Sequence, residues 1–154
     1  MLQNLYPQLL AFHGLLRWFV LLAGVIAFFK AASGWSGQKP VSPTLVRFGV
    51  IFVGFMDLNF LLGLILYFGA SPLTKMAMQN MALAMKDHEL RFFSVEHATY
   101  MFLAVIAAHV GAALSRKGKT DLKKYRGATI GYGISLLLVL AGIPWWRPLL
   151  RFGS

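Results

Sequence analysis

Six side chains in this sequence are acidic, basic or imidazole groups set inside apolar runs: His13, Arg17, Asp57, Glu96, His97 and His109. Groups of this kind are expensive in a hydrocarbon setting, and where they persist they face a bundle interior and meet a partner. The stretch "AFHGLLRWFVLL", residues 11–22, poses the question most sharply. His13 and Arg17 stand four residues apart, which puts both on one face of a helix. A neutral imidazole in that position can ligate a metal, and the neighbouring guanidinium can meet an anionic group.

The elements that carry these residues follow from composition. The chain has 154 residues, is 58% hydrophobic and is only 13% charged, against about 45–50% and 25% in a typical soluble domain. The excess lies in four runs, roughly 8–29, 48–69, 92–114 and 127–146. Each has the ~20 residues that a helix needs to cross about 30 Å of hydrocarbon. Lipid offers no partner to a free backbone group, so each run must be helical. The expected fold is an all-α integral membrane protein, a single domain of four transmembrane helices in a bundle. The piece around 73–90, "LTKMAMQNMALAMKDHEL", reads as a short amphipathic helix on the outer surface. Its methionines lack the cysteines or the regular Met repeat that a soft-metal site would use. The first 16 residues carry no Lys or Arg, so the first run reads as a span rather than a signal peptide. With no cysteine, disulfides, thiolate metal sites and covalent haem attachment are excluded.

The net charge of +10 reflects topology, not nucleic acid. Connector 115–126, "SRKGKTDLKKYR", and connector 30–47 together hold nine Lys and Arg residues; the opposite side holds Lys75, Lys86, Arg91, Arg147 and Arg151. The bias puts the two connectors in the cytoplasm and both termini outside. The basic run at 115–126 also suits anionic headgroups of the lipid bilayer.

Depth sorts the six residues. With span midpoints near residues 18, 58 and 103, His13 and His97 both lie roughly 8–9 Å outward of the midplane, on spans that run in the same direction. Two neutral imidazoles at one level can ligate a single haem iron across the bundle. Taken singly, each histidine is better explained by a hydrogen bond to a carboxylate or carbonyl on a neighbouring helix; only the matched pair points to haem. Arg17 and Asp57 both fall near the midplane and make a natural structural ion pair, with Arg17 alternatively meeting a haem propionate. Glu96 points about 100° away from His97, and is expected to face His13 or Arg17, a cluster able to exchange protons with a quinone headgroup. His109 lies twelve residues beyond His97, about 18 Å along and roughly 120° around the helix. The first span has no second histidine to match it, so one haem is the most that the sequence supports; His109 is left to a pigment, to Asp121 or to the basic loop. His88 is expected to be solvated.

The segments "HGLLRW", "SGW", "MKDHELRFFSVEH", "KTDLKKYR" and "IPWWRPL" resemble a family of short, four-span bacterial membrane proteins described as cytochrome b-like. The likeness runs over nearly the whole chain and touches His13, Arg17, Trp18, Glu96 and His97. It implies haem b, electron transfer and the bacterial inner membrane. The chain departs from the two-haem pattern, since its second and fourth spans hold no histidine. The leading expectation is a small b-type electron-transfer protein, or the anchor of a quinone-linked oxidoreductase, with one haem between spans one and three. The alternative is an accessory or structural subunit of a larger respiratory or photosynthetic complex, binding lipid or pigment. Small residues at Gly49, Gly54, Gly127, Gly131 and Gly133 allow the close helix approach that suits this second reading. No phosphate loop, zinc-binding His-Glu-x-x-His or nucleophile elbow points to a stand-alone enzyme.

Overall fold

The computed structural model describes residues 2–148. Helix α1, Tyr6–Ser36, follows a 3-10 turn at Leu2–Leu5. Pro7 sits in the first turn of α1, where a missing N–H breaks no helical bond. Helix α2, Pro43–Ile65, starts where the Ser42 side chain accepts from the Thr44 N–H, and it passes directly into a π turn at Leu66–Ala70. Three short helices follow: α3 (Pro72–Gln79), α4 (Met81–Ala84) and α5 (His88–Arg91), capped by Ser71, Asn80 and Asp87. A second π turn, Phe92–Glu96, joins α5 to α6, His97–Lys117. Helix α7, Asp121–Gly142, is capped by Thr120.

Four segments are long and apolar enough to cross a membrane: Tyr6–Ser36, Pro43–Ala70, His88–Lys117 and Asp121–Gly142. The all-α bundle is therefore as expected, with two adjustments. The fourth span runs earlier than 127–146. It stops at Gly142 because Ile143 precedes Pro144 and is driven to an extended conformation (φ −77°, ψ 128°). The surface segment is not one helix but three pieces, because Asn80 leaves helical geometry (φ −148°, ψ 84°) and caps the next turn.

The spans close into a ring in the order α1, α2, α6, α7, so α1 and α6 face each other across the centre. One end of the bundle carries the described ends of the chain and the α3–α5 segment; the other carries the two connectors after α1 and α6. The connector half is tightly packed. A Cβ on Gly131 would overlap the backbone of Gly111, so α6 and α7 touch main chain to main chain. Ala104, Ala108 and Ala128 are fully buried, and Phe52 and Tyr132 meet edge to face at 5.6 Å. The two connectors are also tied together. The Tyr125 hydroxyl donates to the Pro40 carbonyl (3.1 Å) and accepts from the Ser42 N–H (3.2 Å), while Asp121 accepts from the Val41 N–H (3.1 Å).

Candidate functional site

The opposite half is built differently. A cavity of about 360 Å³ opens there, between α1, α2, α6 and the end of α7. That volume falls within the range of small-molecule and cofactor sites. From α1 it receives Leu10, His13, Gly14 and Arg17, a face spaced three and four residues apart. Both π turns contribute to its wall, through Leu66, Tyr67 and Phe68 on one side and Phe93 on the other. Such turns are rare in helices and concentrate at functional sites.

The two histidines meet in this cavity. Their ring centroids are 6.2 Å apart with the planes at 72°. His97 Nδ1 lies 2.7 Å from the Gly142 carbonyl. The carbonyl can only accept, so Nδ1 carries the proton and Nε2 keeps its lone pair. The acceptor is available because α7 has ended. The last carbonyls of a helix have no intrahelical partner, and Pro144 prevents another turn from supplying one. The phenyl rings of Phe92 and Phe93, both on the π turn, flank His97 at 5.9 and 6.1 Å. His13 is held from α2: a Cβ on Gly63 would lie 3.3 Å from its Cε1, so Gly63 makes room for the ring. Its Nδ1 is buried without a hydrogen-bond partner among the described residues, although the Asn59 carbonyl lies near enough to polarise the ring. Asn59 Oδ1 is a second buried polar atom with no such partner. Both residues line the cavity, and buried polar atoms are seldom left unpaired.

The charge in the cavity wall has one sign. Arg17 and Arg147 line it, and no Asp or Glu does among the described residues. Arg147 is fixed from outside: Glu89 accepts from its Nε at 3.0 Å and lies 2.9 Å from its NH2, and its guanidinium sits 4.5 Å from the centre of the Phe93 ring.

Two expected pairings are replaced. Asp57 does not face Arg17; it lies 3.4 Å from His109 Nε2, on the outward side of the α2–α6 seam. Glu96 does not join His13 or Arg17 either. It accepts from Arg91 Nε at 2.7 Å and stays out of the cavity wall, because the π turn ending at Glu96 turns it toward the rim. His88 is exposed, as expected, with one edge of its ring against Trp146 at 4.8 Å. Arg151, assigned by charge to the outer side, lies outside the described residues.

Asn59, Arg147 and the Gly142 carbonyl belong to the site without having been marked in the sequence. Asn59 carried a signal, an amide in the apolar run "GFMDLNFLLG"; Arg147 lay beyond the expected end of the last span. No cluster of three or more His, Cys, Asp or Glu side chains is placed to hold a bare metal ion among the described residues. A haem iron, whose porphyrin fills four positions, needs only two axial ligands. No family model, no curated protein and no solved structure matches this chain.

Proposed function

We propose that this chain is a small membrane-embedded electron carrier of the b type, holding one haem b between His13 and His97. The observation that carries the reading is the spacing of the two rings. Two imidazoles bound to one metal at about 2.0–2.1 Å place their ring centroids roughly 6–6.5 Å apart; here the separation is 6.2 Å. The donor set agrees with it. His97 has its Nδ1 anchored to a backbone carbonyl, the arrangement that orients a ligating imidazole and fixes its tautomer. Two buried polar atoms of the cavity wall without partners among the described residues, His13 Nδ1 and Asn59 Oδ1, favour a further group in the cavity.

His13 and His97 would hold the iron, and Arg17 and Arg147 would meet the haem carboxylates. The haem would supply a one-electron couple. The chain's own residues do the rest: Phe92 and Phe93 wall His97 from water, and the Gly142 carbonyl sets its ring. On this reading the basic connectors 30–47 and 115–126 face the cytoplasm of a bacterial inner membrane, both termini lie outside, and the electron partners are other membrane subunits of a redox complex.

A second reading is favoured by one observation. Asn59 Oδ1 needs a donor, which a hydroquinone hydroxyl offers and a haem carboxylate does not. A quinone headgroup in the same cavity would place the chain as a quinone-linked anchor.

The test is a dithionite-reduced minus oxidised absorbance spectrum of detergent-purified protein from haem-replete cells, with haem quantified after extraction into pyridine. About one haem b per chain, absent from folded His13→Ala and His97→Ala variants, is the expected result. A colourless protein containing extractable quinone would favour the second reading, and a colourless one without it would overturn both.

A further inference from the structure

The Asp57–His109 pair stands apart from the cavity and poses its own problem. Asp57 lies ten residues past Arg47 and His109 seven before Arg116, about 15 and 10 Å inside their spans. Groups at such depth almost always face a bundle interior or a water-filled cavity. These two do not: their side chains are 43% and 50% exposed, on the outer side of the α2–α6 seam. Nor do they satisfy each other. His109 Nδ1 donates to the Val105 carbonyl at 3.0 Å, so its Nε2 meets the carboxyl group through one shared proton. At 3.4 Å that contact is longer than a good N–H···O bond. Both ring nitrogens of His109 are thereby engaged, the second only loosely, while the Asp57 carboxyl group keeps lone pairs for a second donor.

The surroundings match a helix interface. On α2, Val50, Gly54, Asp57 and Leu61 are spaced four, three and four residues apart; on α6, Phe102, Ile106 and His109 begin the same pattern. That is the spacing of a helix-packing seam. A Cβ at Gly54, one turn from Asp57, would have nothing within 4 Å, so the seam is open where a close approach would need it.

We propose that this face is where a second copy of the chain docks within the membrane. The patch carries one acid and one base side by side, and is therefore self-complementary. A twofold axis beside it sets Asp57 of each copy against His109 of the other, the isologous arrangement of a symmetric dimer. The four groups then form a closed, net-neutral cluster shielded from lipid.

The test counts copies per particle by native mass spectrometry of the full chain released from lipid nanodiscs. The wild type is expected as two copies. Asp57→Leu combined with His109→Leu removes both polar groups without stranding either, and is expected to weaken association roughly tenfold, the sum of two interhelical polar contacts in a bilayer. The chain has no native cysteine, which allows a second variant. A bulky maleimide on Gly54→Cys is expected to give single copies, while the same label on Leu137→Cys, on the outer face of α7, leaves the pair intact. Single copies of the wild type at every loading would overturn the proposal. So would a dimer indifferent to both variants, or a different membrane protein found on this face. Haem content is unaffected by any of these outcomes, so failure here is separable from failure of the cytochrome reading.

Discussion

The two halves of the bundle solve opposite problems with the same four helices. In the connector half, Gly111 and Gly131 bring α6 and α7 into backbone contact, buried alanines fill the centre, and Tyr125 ties one connector to the other. In the terminal half, both π turns, two arginines and two histidines surround a cavity. Even the unpaired polar atoms differ. Tyr132 Oη, in the tight half, is pressed against Gly49, whereas His13 Nδ1 and Asn59 Oδ1 belong to the wall of an open space. Packing in one half supplies the rigidity that lets the other keep a hole.

That contrast is broken most severely at the helix crossing. Gly131→Leu must force α6 and α7 apart, at a cost of about 3 kcal/mol or more, and is expected to abolish monodisperse protein after detergent extraction. His97→Ala strikes the other half. The expected outcome is complete loss of haem absorbance with the helical circular-dichroism signal retained and a stability loss of only about 1 kcal/mol, for the bond to Gly142. If the chain instead fails to fold, the histidine is structural. Tyr125→Phe removes two connector hydrogen bonds, and thermal unfolding in detergent is expected to show about 1–2 kcal/mol of destabilisation with haem content unchanged. Gly63→Ala sharpens the comparison. Its methyl group, 3.3 Å from His13 Cε1, must displace the ring by a few tenths of an ångström, shifting the reduced spectrum or the midpoint potential while leaving stability intact. Glu96→Gln is expected to do least. The Arg91–Glu96 pair is more than a third exposed on both sides on average, so roughly 0–1 kcal/mol is at stake and haem content should not move.

The sequence carried the spans well, because twenty apolar residues have few fates in a bilayer. It also carried the meeting of His13 and His97, since both were fixed by counting residues along parallel helices. Rotation was harder. Depth matched Arg17 to Asp57, but the bundle turns Asp57 outward to His109. Glu96 was lost for a related reason: a π turn inserts a residue into the helical repeat, and no residue type in "FFSVE" announces it. The Gly142 carbonyl had no letter to read at all. Its role follows from where Pro144 stops α7, which becomes visible only when α6 is packed beside it.

The most direct measurement on the proposed haem site is the low-temperature electron paramagnetic resonance spectrum of the oxidised protein. Two axial imidazoles with planes at 72° require a low-spin ferric signal of strong anisotropy, far from that of parallel rings. A high-spin ferric signal, or no iron signal in pure protein from haem-replete cells, would contradict the placement of one iron between His13 and His97.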